Sequence, residues 1–455
     1  MAKKIQTKTA FVCQQCGGSS PKWLGRCPEC QAWGSLVEER LRIATRSTAS
    51  AASQGVPVAL ADVTEDDARR LPTGIGELDR ALGGGLVAGG VVLLAGDPGI
   101  GKSTLLMQAL ARLGKSGASA LYVTGEESAA QVAMRARRIG VGDGLMLLAA
   151  TELEAVVHAL SQQRFDVVVI DSIQTLRSVE LESAAGAVAQ LREVAARLTE
   201  IAKRDAVAMF LIGHVTKDGS IAGPKVLEHL VDTVLAFEGD PTHAFRLVRA
   251  IKNRFGPAHE VGVFEMAQDG LREVPDPSAL FLAERPKQAT GSVVVPTAEG
   301  TRPLLVEVQA LVSPALYGSP RRVATGLDGN RLSVLLAVLT RKAQVHVMDQ
   351  DVFASVAGGA RIDERAADLG LAAAIVSSLR ERPIREGTVV FGEVGLAGEV
   401  RAVPRANVRV LEAAKMGFRH IVMPTVNAER LTAAERKGLD ISGVRTLDEA
   451  LRALA

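Results

Sequence analysis

Residues 91–104 read VVLLAGDPGIGKST, and no other stretch restricts the possible folds as tightly. The apolar run Val91 to Ala95 predicts a buried strand, and Gly96, Gly101, Lys102 and Ser103 follow at the spacing G-x-x-x-x-G-K-[ST]. The run LLMQALARL after it has helical spacing, so the stretch predicts a strand, a phosphate-binding loop and a helix in that order. In such a loop the backbone N–H groups close around phosphate oxygens, and the positive end of the helix faces the anion. Gly96, Asp97, Pro98, Gly99, Ile100, Gly101, Lys102, Ser103 and Thr104 are therefore the candidate nucleotide-binding residues. Lys102 is placed to reach the β- and γ-phosphates of ATP, and Ser103 to hold Mg²⁺. An ordinary glycine-rich turn would explain the glycines but not the lysine, the hydroxyl, the strand and the helix together.

Downstream, helical and strand patterns alternate, as in a parallel sheet with crossover helices. The strand ALYVT (120–124) runs into Gly125-Glu126-Glu127-Ser128. Acids just past a strand lie where open α/β sheets bind ligands, so Glu126 or Glu127 is expected to orient the water that attacks the γ-phosphate. A solvated start of the next helix is the other reading. The run FDVVVIDS predicts a buried strand ending in Asp171, a second Mg²⁺ candidate. A third strand ends at His214, either a phosphate sensor or a packed strand end, and opens the Gly- and Lys-rich HVTKDGSIAGPKVLEH. His214, Lys217 and Lys225 are the candidate contacts of this loop with an anionic partner such as DNA. Farther on, FRLVRAIKNRFG carries Arg246, Arg249, Lys252 and Arg254 with no acid among them. It reads either as the solvated face of an edge strand, or as a site whose Lys252 or Arg254 reaches a neighbouring subunit's γ-phosphate.

All four cysteines of the 455-residue chain fall in Cys13-x-x-Cys16 and Cys27-x-x-Cys30. Two such knuckles supply four thiolates for Zn²⁺, with disulfides the competing reading. Both tryptophans, Trp23 and Trp33, flank the knuckles. They would serve a mini-core, or an aromatic surface that takes single-stranded nucleic acid or a protein partner. Residues 43–61 are small and polar and read as a tether. A net charge of +2 excludes a globally basic coat, and no apolar run or signal-like leader points to membrane or secretion, so the expected location is cytoplasmic.

Several runs together make the pattern specific: TGIGELDRALGGGL, GDPGIGKST, VTGEES, VVVIDSIQT, GHVTKDGSIAGPKVLEH and KNRFG. With the cysteine knuckles, they resemble the bacterial RadA (Sms) family of recombination and repair ATPases over nearly the whole chain. The resemblance implies a RecA-like P-loop core assembling as a homo-hexamer. It further implies ATP-fuelled movement on single-stranded and branched DNA, with branch migration of recombination intermediates beside the RecA recombinase. The family's K-N-R-F-G motif falls on Lys252 to Gly256, and its zinc ligands on Cys13, Cys16, Cys27 and Cys30.

After Pro275, Pro277 and Pro286 the pattern changes to strand-like alternation, a leucine-faced helix over RLSVLLAVLTRKA and an amphipathic, alanine-rich helix over DERAADLGLAAAIVSSL. A hairpin turning near Gly395 to Gly398 is expected after them. This region resembles the Lon protease domain, whose chemistry needs a serine activated by a lysine. Laid on the Lon motifs, the chain has Ala366 at the nucleophile and Asn407 at the base, which implies a scaffold without proteolysis. Arg321, Arg322, Arg401, Arg405 and Arg409 are candidates for a DNA-facing surface there. Arg365 stands where RadA-like sequences usually carry proline.

The expected organisation is thus α/β, with a four-cysteine zinc module over 8–37, a linker over 38–70, a RecA-like ATPase over 71–273 and a Lon-protease-like α+β domain over 285–455. The function expected is a DNA-dependent ATPase and helicase motor in recombination and repair. The alternative is an ATP-regulated scaffold or switch like KaiC, which also carries paired glutamates after the corresponding strand.

Overall fold

The computed structural model describes residues 6–14, 17–43, 70–141, 144–214, 226–239, 245–283, 285–286, 288–299, 302–315, 318–359 and 361–454. The chain divides into two compact units between Glu273 and Val274. Among the described residues, no helix is long and apolar enough to cross a membrane.

The first unit opens with a three-stranded antiparallel ribbon in which Gln6–Cys13 pairs with Ser19–Ser20 on one side and Leu36–Ile43 on the other. The last strand continues past residue 37, so residues 38–43, expected to begin a linker, are strand. The ribbon's core is Cys13, Cys27 and Leu36 with Phe11 packed against them. Trp23 and Trp33 are 60% and 77% exposed and form no mini-core.

After the ribbon in sequence comes a nine-stranded sheet in the order Gly270–Glu273, Val261–Ala267, Phe245–Asn253, Thr233–Glu238, Val91–Gly96, Ala208–His214, Val167–Asp171, Ala120–Thr124, Met146–Ala149. The six strands from Thr233–Glu238 onward are parallel, and the first three add antiparallel hairpin strands. Val91–Gly96 is buried along its whole length because helices cover both faces, which is why its sequence is continuously apolar rather than alternating. Phe245–Asn253 is an inner strand, not the edge strand that its basic face suggests. Arg249 instead pairs with Glu238 on the neighbouring strand at 3.2 Å.

The helix Lys102–Lys115 buries Leu105, Leu106, Met107, Ala109, Leu110 and Leu113, and its last turn carries Arg112 and Lys115, which favour the negative helix end. Gly101, with φ 117°, turns the loop into this helix. That backbone conformation is one that favours glycine, whereas the nearest atom to an added Cβ is the movable Met266 Cε at 2.9 Å. Helix Ala129–Arg138 begins with a reciprocal capping box between Ser128 and Gln131, which fixes the direction of the chain just after Glu126 and Glu127.

The second unit is built on a mixed seven-stranded sheet ordered Arg322–Thr325, Gln350–Val356, Arg302–Pro314, Ser292–Glu299, Thr388–Val390, His420–Pro424, Asp440–Val444. The alternation expected for the first hairpin holds only near Gln309 to Leu311, since residues 291–297 are buried without a break. Helix Asp368–Leu379 is not amphipathic in place: Asp368 to Ser377 are all buried, between the sheet and the helices Gly329–Lys342 and Leu447–Ala453. The leucine face of Gly329–Lys342 is buried as its spacing predicts. The expected hairpin joins Glu393–Val394 to Val400–Arg401. Helix Pro277–Leu282, ahead of the expected start at 285, belongs to this unit, with Ser278 Oγ donating to Glu412 Oε1 at 2.6 Å.

Candidate functional site

Parallel pairing levels the carboxyl ends of the central strands. Gly96 is opposite His214, and Thr124 is opposite Asp171, so the loops that follow open on one edge of the sheet. There they enclose a cleft of about 370 Å³ lined by Pro98, Gly99, Gly101, Lys102, Ser103, Thr104, Glu126, Glu127, Arg135, Arg138, Asp171 and His214. Gly96 sits under the loop, where a Cβ would approach Phe237 O to 2.5 Å.

Lys102 curls back into its own loop. Its Nζ donates to Gly96 O at 2.7 Å and Asp97 O at 2.8 Å and lies 3.4 Å from His214 Nδ1. Burial lowers its pKa to about 8, against the upward pull of Asp171, Glu126 and Asp97. Asp171 accepts a hydrogen bond from Tyr122, a wholly buried phenol whose pKa is raised by burial and by the Asp171 charge.

The paired glutamates part company. Glu126 accepts from the Ser172 hydroxyl, and its Oε1 is 3.1 Å from His214 Nε2. Burial pushes this carboxyl up, but those hydrogen bonds outweigh it and hold the pKa below the ordinary range. Glu127 turns toward the helix and pairs with Arg135. His214 therefore lies between Lys102 and Glu126, inside the cleft. Lys217 and Lys225 lie outside the described residues. The sequence reading missed Tyr122, Arg135 and Arg138; the basic run RARR at 135–138 was the available signal for the arginines.

In the ribbon, the sulfurs of Cys13, Cys27 and Cys30 lie within 4.8 Å of one another, with Cys13 and Cys27 buried. Cys16 lies outside the described residues. Three converging thiols fit a thiolate zinc site.

Comparisons with known proteins agree with this layout. Residues 11–38 match the rubredoxin metal binding domain, 57–220 the AAA domain, and 336–455 the Lon protease (S16) C-terminal proteolytic domain. The DNA repair protein RadA of Pseudomonas aeruginosa is 50% identical over 453 residues, covering 99% of both chains. That of Escherichia coli is 48% identical and that of Bacillus subtilis 47%, each covering 98% of both chains. The chain belongs to the RadA family of DNA repair proteins. It is an α/β protein with a zinc-binding module, an ATP-binding P-loop domain and a Lon-type C-terminal domain.

The RadA-type K-N-R-F-G motif is far from the cleft. Asp232 bonds the backbone of Val91, and Arg254 N donates to Asp232 O, so the motif sits at the amino ends of the parallel strands. The phosphate-loop strand separates the two edges by about 17 Å at the usual rise per residue. Each motif residue has a local bond or contact. Lys252 Nζ caps carbonyls of Glu228 and Val231 at 2.6 and 2.8 Å. Asn253 bridges Leu82, Thr233 and Phe255. Arg254 pairs with Asp232 at 3.4 Å. The Phe255 ring lies against Gly90, and Gly256 against Gly83. Neither Lys252 nor Arg254 touches its own chain's phosphate loop.

In the C-terminal unit of this RadA relative, Ala366 is buried, Asn407 is exposed, and Ser377 is held by Gly291 N and Arg382 O. Arg409, expected on a surface, is fully buried: its guanidinium grips Glu364 at 2.7 and 2.5 Å and Pro296 O at 2.6 Å. Arg365, at the usual proline position, pairs with Glu393 at 3.2 Å.

Proposed function

We propose that the protein is a DNA-dependent ATPase motor that moves on single-stranded and branched DNA and promotes branch migration in recombination and repair. It would act as a homo-hexamer alongside the RecA recombinase, with ATP bound between subunits. The observation that carries the reading is the convergence of Lys102, Glu126, Asp171 and His214 in one cleft. His214 is also the residue from which the Lys217- and Lys225-bearing segment departs.

In this reading ATP phosphates displace Lys102 from the Gly96 and Asp97 carbonyls and take its ammonium and the loop N–H groups as partners. Ser103 and Asp171 would hold Mg²⁺, which neutralises phosphate charge. Glu126, not Glu127, orients the attacking water and takes its proton, because only Glu126 faces Lys102 while Glu127 is committed to Arg135. Loss of the γ-phosphate changes the charge beside Lys102 and Glu126, and His214 hands that change to the segment after it. Arg254, 55% exposed, is the better candidate to reach a neighbouring subunit, while Lys252 holds its own fold together.

With alanine where the Lon motif has its nucleophile, and asparagine where it has its lysine, the C-terminal domain is read as a non-proteolytic scaffold. The test is ATP hydrolysis with and without single-stranded DNA over a salt series. A motor shows a DNA-stimulated rate whose stimulation weakens as salt rises, whereas a nucleotide-driven protein switch shows one rate throughout.

A further inference from the structure

The zinc ribbon presents a surface that its fold does not require. A module this small has little apolar mass, yet it leaves both of its indoles, the largest side chains it owns, in solvent. The two rings flank Gly25: a Cβ at that position would stand 3.5 Å from Trp33 Cζ3 and 3.9 Å from Trp23 Cη2. Glycine therefore keeps the space between the rings open. Arg26 lies over the Trp33 ring, its guanidinium carbon 5.8 Å from the ring centroid, and its Nε donates to Gln31 O at 2.8 Å, so ring and cation are fixed relative to each other. Lys22 is exposed on the same loop. Residues 17–28 contain no acid, and residues 1–50 carry eight Lys or Arg against three Glu.

We infer that Trp23 and Trp33, with Lys22 and Arg26, form a stacking platform for the bases of single-stranded nucleic acid, the two cations taking its phosphates. Flat exposed rings bordered by positive charge match the two chemistries of a single strand, π-faces and a phosphate backbone. An apolar protein surface would answer the rings but leave the two cations unmatched. The platform rests on the proposed DNA-dependent reading and assigns to the ribbon a contact separate from the ATPase unit.

These are the chain's two tryptophans, so its intrinsic tryptophan emission reports from this surface alone. The test uses the full zinc-loaded chain and oligo-dT, with anisotropy of a labelled strand giving total binding and tryptophan emission with an unlabelled strand giving platform occupancy. The inference predicts saturable quenching, and protection from iodide, at the concentrations where anisotropy rises. The Trp23→Ala/Trp33→Ala variant should bind at least about fivefold more weakly, and Trp23→Phe/Trp33→Phe should keep most of the affinity. Lys22→Ala/Arg26→Ala should lower the salt slope by about two. Strand binding by anisotropy with unchanged emission and iodide access would overturn the platform and leave the motor reading standing. Quenching by added RecA recombinase but not by oligo-dT would overturn it in favour of a protein partner. No strand binding at all by the wild-type chain would sink the motor reading along with it.

Discussion

His214 Nε2 lies 3.1 Å from Glu126 Oε1, while the opposite nitrogen of the same ring lies 3.4 Å from Lys102 Nζ. One imidazole thus spans the phosphate-loop lysine and the proposed base at the exit of the Ala208–His214 strand.

That arrangement separates the two glutamates. Glu126→Gln should keep nucleotide binding and lose hydrolysis by roughly 10²- to 10⁴-fold, as expected for removal of a positioned base. Glu127→Gln should lose far less, because it releases Arg135 and leaves the Glu126 contacts intact. Single-turnover hydrolysis with separately measured ATP affinity distinguishes them, and the reverse ranking would move the base to Glu127.

Lys102 gives the site a proton linkage. Burial sets its pKa at about 8, and phosphates stabilise the ammonium, so ATP binding above pH 8 should take up a proton and the affinity should fall as pH rises. For folding the sign is opposite: the unfolded lysine holds its proton to higher pH, so this group's penalty on stability shrinks as pH rises above about 8 toward the ordinary lysine value. Calorimetry in two buffers of different ionisation enthalpy measures the uptake. Lys102→Met should abolish both the uptake and most of the binding.

The K-N-R-F-G corner predicts two distinct phenotypes. Lys252→Ala removes two charge-assisted bonds to carbonyls and should cost about 1–3 kcal/mol in the first unit, seen in denaturant melts. Arg254→Ala breaks only a half-exposed pair and should leave the melt nearly unchanged. If Arg254 acts across subunits, mixing Arg254→Ala with inactive Lys102→Ala chains should restore some ATPase activity. Activity no higher than the sum of the separate variants would remove that role.

In the C-terminal unit, Arg409→Met takes two charge-assisted bonds from Glu364, which keeps the Ala298 N–H, and should cost about 1.5–3 kcal/mol. Pairing it with Glu364→Gln should recover part of that loss. Thermal melts of the single and double variants decide whether this pair braces the fold or merely decorates it.

How far the chain could be read without coordinates differs from place to place. The phosphate-loop strand, the turn and the helix after it are local, set by apolar run, glycine and spacing, and they form as expected from Val91 to Lys115. The different fates of Glu126 and Glu127 were not legible, because they depend on Ser172 and His214 at the ends of other strands and on Arg135 nearly two turns into the next helix. The basic run of Phe245–Asn253 looked like an edge because its balancing acids, Glu238 and Asp232, are brought to it only by strand pairing. The run DERAADLGLAAAIVSSL reads as amphipathic because Asp363, Glu364 and Arg365 open it and two serines close it, but the helix begins only at Asp368, and sheet and helices enclose Asp368 to Ser377.

The most direct test of the account is the ATPase rate of the wild-type chain as single-stranded DNA is added, repeated as salt rises. The account predicts a rate that climbs to a plateau with DNA, an increment that shrinks with salt, and loss of the whole signal in Glu126→Gln. A rate indifferent to every strand offered, from a protein that holds no oligonucleotide, would contradict it.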